Sequence, residues 1–465
     1  MAVETRVLDD DCVPISGWAR TSPTLARVRR PRGSAEVAAA LRAGDPRGAL
    51  ARGLGRAYGD AAQNAGGTVL DMTGLTRILA FDAAAGLVVC EAGVSLHRLM
   101  TALLPRGFFL PVTPATRYVT AGGAVATDVH GGNHPGAGSF ARHVVALDLL
   151  TPDGEVRTAV PGTPLFDATT GGLGLTGIVL TVTLRLLRVE TSLLSVDTER
   201  VRDLDELMAR LAGPPPRRDA DGAPPPYEIA RIDPLARGAA MGRSVLVRAR
   251  HAPYEALPRR HRARRAPLAF RPVRLPAPPP YVPGGPLGRT VLGLAGEFRH
   301  RAGPRRSTGR LRPLSAVLHP FDALPHGNRL YGPEGFVPYR CAVPYGQEEA
   351  LCRIVRRIAA RRFPALPAVL TRFGEAGPGW LSYPLPGWSL GLDLPTGLPG
   401  LAAFLDALDE EVLGAGGRVQ LAADSRVRPD AVAAMFPRLA DFRALRAALD
   451  PGAVLRSDLS RRLAL

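Results

Sequence analysis

The chain runs to 465 residues, 46% of them hydrophobic, with 59 basic residues against 42 acidic ones and a formal net charge of +17. Such a length exceeds one small core and predicts two or three domains, and no apolar run nears the roughly 18 residues that mark a bilayer span. All 59 basic residues are arginine, so lysine is excluded as a base, a Schiff-base former or a phosphate anchor.

The first residues, MAVETRVLDDDC, are acidic and polar. They lack the basic end and apolar stretch of a secretory signal, so a cytoplasmic location is expected. Residues 1–190 alternate strand-like segments, at 68–72, 86–91 and 178–184, with glycine-rich turns. The spacing predicts a helix over 95–104: Ser95 can cap it, and Leu96, Leu99, Met100 and Leu103 share one apolar face. From about Ser192 the character changes. A short helix is predicted over 203–211, and the proline runs 214–216 and 224–226 read as loops. Residues 259–312 hold 14 arginines against the single acid Glu297. That stretch reads either as a solvated, flexible excursion or as a lid over a site receiving an anionic substrate. Beyond it come a strand over 336–344 and an amphipathic helix over 347–362 carrying Leu351, Ile354 and Ile358. A strand over 388–394 precedes a helix through Leu401, Leu405, Leu408 and Val412, and the basic tail 432–465 reads as largely helical. This half predicts an α+β unit, an antiparallel sheet backed by helices.

Cys12, Cys90, Cys341 and Cys352 are scattered, without a CxxC pair or a His/Cys cluster; they read as reduced thiols, and no metal site is expected. The arginine excess reads as coding bias. Its competitor, a surface that attracts polyanions, lacks the interleaved aromatics of single-strand binders, so no nucleic-acid partner is expected.

Two small-residue loops carry the chemistry. The first is Gly53-Leu54-Gly55-Arg56-Ala57-Tyr58-Gly59, running on to Asn64. It is not a Rossmann GxGxxG, because the third glycine falls one place late and a strand, not a helix, follows. Its backbone N–H groups can still form an anion nest. The second is Pro114-Ala115-Thr116 with Thr120-Ala121-Gly122-Gly123-Ala124, running through Ala126 and Thr127 into His130-Gly131-Gly132-Asn133. Small residues permit close approach to a cofactor, and Thr116, Thr120 and Asn133 can supply hydrogen bonds. The density of polar and glycine neighbours points His130 toward an active-site role rather than a structural one. A third piece, from Gly171 to Ile178, contains Gly172, Gly174 and Gly177.

The order GLGRAYGD…Q-N, then P-x-TRxVTxGGAxAxDxHGxNH, then GGxGLTGI resembles the vanillyl-alcohol-oxidase-type FAD-binding family. Within it the similarity is greatest to the decaprenylphosphoryl-β-D-ribose 2′-oxidase branch. It continues in His319-Pro320-Phe321-Asp322, Asn328 to Pro333, Pro386-Gly387-Trp388, Asp424-Ser425-Arg426 and Ser457 to Leu463, and so covers nearly the whole chain. The resemblance implies a two-part FAD domain of the PCMH type, from residues 1–190 and 418–465, with a substrate or cap domain inserted at 191–417. It implies that Gly53 to Asn64 holds the FAD diphosphate, Pro114 to Asn133 flanks the isoalloxazine, and Gly172 to Ile178 lies toward the adenosine. Relatives often attach FAD covalently through a histidine of the first loop; Arg56 stands there, so noncovalent FAD is expected.

On the substrate side the residues depart from the branch. Its essential lysine before Asp-Ser-Arg is Ala423, and the tyrosine three places earlier is Gln420. The asparagine and cysteine after Pro-Gly-Trp are Ser389 and Gly391. A glutamine is Arg340, the tyrosine before His-Pro is Leu318, and an asparagine of the third glycine piece is Leu173. Oxidation of a carbinol on flavin needs an acceptor for the hydroxyl proton. His130 is the expected base, with Tyr58 and Tyr339 as relays and Arg340 as a bidentate donor to substrate. The expected activity is oxidation of a sugar, cyclitol or sugar-bearing metabolite. Oxidative tailoring of a non-sugar natural product and a non-catalytic flavoprotein are the alternatives. A short-chain dehydrogenase partner, by analogy, and peripheral membrane contact complete the expectations.

Overall fold

The computed structural model describes residues 12–212, 227–262, 267–279 and 288–465. Both proline runs lie outside these residues, as do 263–266 and 280–287 of the arginine-rich stretch.

Four short strands begin the chain: β1 (Cys12–Ile15), β2 (Thr24–Arg29), β3 (Ala49–Arg52) and β4 (Thr68–Asp71), ordered β1-β2-β4-β3. Both β2 and β3 run parallel to β4. Parallel neighbours need a crossover, and the first glycine loop is the one that leaves β3. A second, wholly antiparallel sheet has the order β5-β6-β10-β8-β9, from β5 (Ile78–Asp82), β6 (Leu87–Glu91), β8 (Val144–Leu150), β9 (Val156–Ala159) and β10 (Ile178–Arg185). Its companions β7 (Phe108–Phe109) and β11 (Leu187–Arg188) form a separate ribbon. The helix Leu96–Leu103 buries the four apolar residues its spacing predicts, and the Ser95 hydroxyl accepts from the Arg98 N–H at 3.1 Å.

The third sheet is antiparallel and eight-stranded, ordered β15-β12-β14-β13-β17-β18-β16-β19. Its strands are β12 (Leu193–Val201), β13 (Tyr227–Ile232), β14 (Ser244–His251), β15 (Arg306–Pro313), β16 (Phe336–Pro344), β17 (Ala368–Phe373), β18 (Gly387–Pro395) and β19 (Arg418–Val419). Successive residues of a strand face opposite ways. One face buries Ile232, Leu370, Leu390, Leu392 and Cys341 against the helices Leu204–Ala212, Glu348–Arg361 and Leu401–Gly414. The other face looks toward the glycine loops. The sheet runs two residues past position 417, since Cys341 pairs with Val419.

The arginine-rich stretch is more regular than its composition suggests. Its described part contains the helix Arg289–Ala302 and the edge strand β15, which pairs with β12. Backbone pairing and the Arg243–Glu297 ion pair at 2.6 Å tie down residues whose side chains bury little.

The tail forms the helices Pro429–Met435, Leu439–Leu449 and Asp458–Leu463. It returns to the first glycine loop. Arg462 pairs with Asp60 (2.9 and 3.0 Å) and reaches Asp424 at 3.1 Å, while Arg461 donates to Asn64 at 2.7 Å. Asp458 accepts from the Ala65 N–H at 2.9 Å. Among the described residues no helix is long and apolar enough to cross a membrane.

Candidate active site

A cavity of about 890 Å³ lies between the glycine loops, the segment 317–331 and the open face of the third sheet. This is the upper end of the range for small-molecule and cofactor pockets. Its floor is the first loop. Gly55 holds φ = +63°, a left-handed conformation that favours glycine. The N–H groups of Leu54, Gly55, Arg56 and Ala57 have no protein acceptor among the described residues. A concave run of free N–H groups is an anion nest. Beneath it, the Gly59 Cα approaches the Asp424 carbonyl so closely that a Cβ would overlap that oxygen, and Tyr58 N–H donates to Ala422 O at 3.1 Å.

Of the residues the sequence points to, Gly53, Leu54, Gly55, Arg56, Ala57 and Tyr58 line the cavity. So do Pro114, Ala115, Thr116, Thr120, Gly123, Ala126, Thr127, His130 and Gly131 from the second loop, and Arg340, Leu318, Ser389, Gly391 and Gln420 from the substrate side. The second loop is shaped by Asp322, which accepts from Thr116 Oγ1 (2.7 Å) and the Arg117 N–H (2.8 Å). Thr120 caps the helix Ala121–Ala126, so small residues of one helical turn face the cavity.

Others stand behind it. The Asn64 side chain bonds Gly48 O, Thr68 O and Arg461; Asn133 donates to Pro111 O at 2.7 Å. Gly59, Gly122 and Gly172 permit close packing against Asp424, Ala92 and Ala168 respectively. Gly177 directly precedes β10, whose first residue Ile178 is wholly buried, and Gly174 makes the turn before it. The third glycine piece reaches the cavity through Leu173, which sits at φ = +59°. Ala423 is buried and does not line the cavity, whereas its neighbour Ala422 does.

Two expectations change on geometry. Tyr339 is on the opposite face of β16 from Arg340, inside the core cluster with Cys341 and Val343, and so cannot relay a proton from the cavity. The apolar rhythm 337, 339, 341, 343 carried that information. Arg340 is no free clamp: its guanidinium donates to Tyr339 O, Leu392 O and the Asp393 carboxylate. Burial works against its charge, but Asp393 and Tyr58 more than offset this and raise its pKa.

His130 lies among Phe373 (ring centroids 4.8 Å apart) and Tyr383 (5.4 Å), and its Nδ1 has no hydrogen-bond partner. Burial, then the nearby His134 and Arg340, lower its pKa to about 3. The near-neutral titration that recommended it as a base is absent. Tyr58 packs edge-on to Phe336 and lies 5.3 Å beneath the Arg340 guanidinium carbon. Burial, then Asp393, raises its pKa, so it stays a neutral phenol. Asp393 itself lines the cavity and was missed from sequence. The signal was there: Ser389, Gly391 and Asp393 alternate along β18 on one face.

Residues 25–159 match the model of the FAD binding domain. The chain is 38% identical over 457 residues to a decaprenylphosphoryl-beta-D-ribose oxidase of Mycolicibacterium smegmatis, covering 97% of each chain. The chain belongs to the vanillyl-alcohol-oxidase-type family of FAD-binding oxidoreductases. It is also 55% identical to an uncharacterized protein from the mprA 5′ region of Streptomyces coelicolor, over 80% of this chain and all of that one. An alditol oxidase of a Streptomyces species shares 29% identity over 174 residues, 37% of this chain and 41% of its own. The cavity fits the family's cofactor. It joins a nest of unpaired N–H groups, suited to a diphosphate, to a wall of small residues along Gly123, Ala126 and Thr127, which leaves room for a flat ring system.

Proposed function

We propose that this FAD-dependent oxidoreductase oxidises a CH–OH group of a neutral, polyhydroxylated substrate: a sugar, a cyclitol or a sugar-bearing metabolite. The observation that carries the reading is the polar, internally paired end of the cavity. There Ser389, Asp393, Arg340 and Tyr58 surround a space with hydroxyl-scale donors and acceptors, and the Arg340 charge is already matched by Asp393. The sugar and alditol oxidations named for two of its relatives support the same class.

In this reading the free N–H groups of Leu54 to Ala57 hold the diphosphate noncovalently. Thr116, Thr120 and the small residues from Gly123 to Thr127 flank the flavin ring, and Leu173 reaches the adenosine side. Bound FAD supplies a two-electron acceptor. The chain supplies the rest. His130, neutral across the working pH range, keeps the flavin end dry with Phe373 and Tyr383 and offers the substrate a hydrogen bond. Tyr58, protonated, donates to a hydroxyl oxygen. Ser389 Oγ, 3.0 Å from Tyr383 Oη, orients a second hydroxyl. Gln420 takes part from the tail, while Leu318 closes the apolar side. The carbonyl product is the kind of compound that a short-chain dehydrogenase reduces, which makes such an enzyme a natural partner.

The test is anaerobic titration of the FAD-loaded protein with alditols, cyclitols, free aldoses and prenylphosphoryl sugars, followed by flavin absorbance. Bleaching by a neutral polyol or sugar is the expected result. Bound flavin that none of them bleaches removes the proposal and favours a non-catalytic flavoprotein, the reading that the alanine at position 423 would then support.

A further inference from the structure

The substrate side lacks a lysine, and burial lowers the His130 pKa to about 3, which leaves its imidazole neutral but only weakly basic. The cavity's carboxylates narrow the choice. Asp322 is occupied: it accepts from Thr116 Oγ1 and the Arg117 N–H, and the Arg117 guanidinium lies 3.4 Å away. Asp393 differs. Its side chain is only 6% exposed, yet it lines the cavity, and Arg340 is the one hydrogen-bond partner of its carboxylate among the described residues. One oxygen is therefore held while the other has acceptor capacity left over.

The sequence is adjusted to permit this. Arg340 and Gly391 are directly opposite in the β16–β18 ladder. A Cβ at position 391 would lie 2.9 Å from Arg340 Cδ and 3.2 Å from Nε. Only glycine leaves the arginine stem room to lie across the strand and place its guanidinium on Asp393, two residues along the same face. The arginine at 340 and the glycine at 391 thus form one matched pair.

We propose that Asp393, positioned by Arg340 lying across Gly391, accepts the substrate hydroxyl proton, in place of the lysine this chain lacks. The inference rests on the alcohol-oxidation reading. In the step the C–H and O–H bonds of the carbinol break and C=O forms. The C–H hydrogen would leave with its electron pair, as hydride, to bound FAD, and the O–H proton goes to the free oxygen of the Asp393 carboxylate. The groups facing that carboxylate are Arg340 from β16, Tyr58 from the first loop and Tyr331 from the segment 327–331. Burial raises the Asp393 pKa and Arg340 opposes the rise, which keeps a carboxylate able to take a proton without becoming a strong acid.

The experiment is anaerobic stopped-flow reduction of the FAD-loaded enzyme by whichever polyol or sugar bleaches it, across pH, for wild type, Asp393→Asn and Gly391→Ala. Flavin content and melting temperature are measured for each. Asp393→Asn should keep its flavin, lose about 100- to 10,000-fold in the limiting reduction rate and lose the acid limb of the pH profile. Gly391→Ala, which retains the carboxylate but displaces Arg340, should keep that limb and move it to higher pH. An Asp393→Asn enzyme that reduces at the wild-type rate, or keeps the acid limb, overturns the role of Asp393. An unmoved limb in Gly391→Ala overturns the positioning by Arg340. A wild-type enzyme that no alcohol reduces overturns instead the oxidation reading on which both depend.

Discussion

Replacing Arg340 with methionine tests the buried pair energetically. Methionine keeps much of the stem that covers Gly391 and removes the guanidinium, leaving the Asp393 carboxylate buried without its ion-pair partner. Stripping one member from a buried ion pair costs about 3–5 kcal/mol, because the remaining charge is uncompensated. The carboxyl has one escape, which is to bind a proton. Its folded pKa is already raised by burial against the pull of Arg340, so without that arginine it rises further. A carboxyl whose folded pKa exceeds its unfolded value binds more protons folded than unfolded, so stability falls as pH rises between the two values, by about 1.4 kcal/mol per pH unit. Arg340→Met should therefore be mildly destabilised at pH 5 and strongly at pH 8, and adding Asp393→Asn should restore at least about 2 kcal/mol at pH 8. The assay is thermal and urea unfolding by circular dichroism at saturating FAD, in a double-mutant cycle. Additive single effects within about 0.5 kcal/mol, or a destabilisation that does not depend on pH, would refute the reasoning.

The remaining predictions concern the cofactor loop, the tail and acid stability. Gly59→Ala places a Cβ on the Asp424 carbonyl oxygen and should lower both melting temperature and FAD occupancy, read by calorimetry and the absorbance ratio of purified protein. Arg462→Met cuts the tail's hold on Asp60 and Asp424 and should cost about 1–3 kcal/mol and speed FAD release, followed by flavin fluorescence. His130 and His319, with pKa values lowered to about 3, and His134 and His251, lowered to about 4, are neutral when folded; in each, burial is the leading cause. The unfolded chain binds protons first, so the stability they hold above about pH 6.5 is lost progressively as pH falls toward 4. A flat unfolding midpoint from pH 7 to 4.5 would contradict that. Because the first glycine loop carries Arg56 and no histidine, denaturation should release all the FAD into the filtrate.

How much of this was legible in the sequence depended on which physical signal each element carries. The helix Leu96–Leu103 and the strand β16 announce themselves by capping and apolar rhythm, and the structure places both within a residue of expectation. The helix Arg289–Ala302 and β15 were hidden, because arginine-rich surface elements bury little and backbone pairing to β12 leaves no compositional trace. In the site, small residues pointed directly to the loops that line the cavity, since a close approach to those loops demands them. Side-chain direction was harder. Tyr339 and Arg340 are adjacent in sequence yet face a core and a cavity, and the two-residue period that separates them also points to Asp393 beyond Ser389 and Gly391. What no one-dimensional pattern showed is that the Arg340 guanidinium is already engaged by Tyr339 O, Leu392 O and Asp393, which turns an apparent substrate ligand into a positioning residue.

The most direct measurement is stoichiometric: mix the FAD-loaded enzyme, without oxygen, with a slight excess of the polyol or sugar that best bleaches it, and quantify carbonyl product against flavin reduced. One carbonyl per flavin is the predicted outcome. Flavin reduction without a carbonyl, or no reduction by any alcohol in the panel, would contradict the proposal that this chain oxidises CH–OH groups.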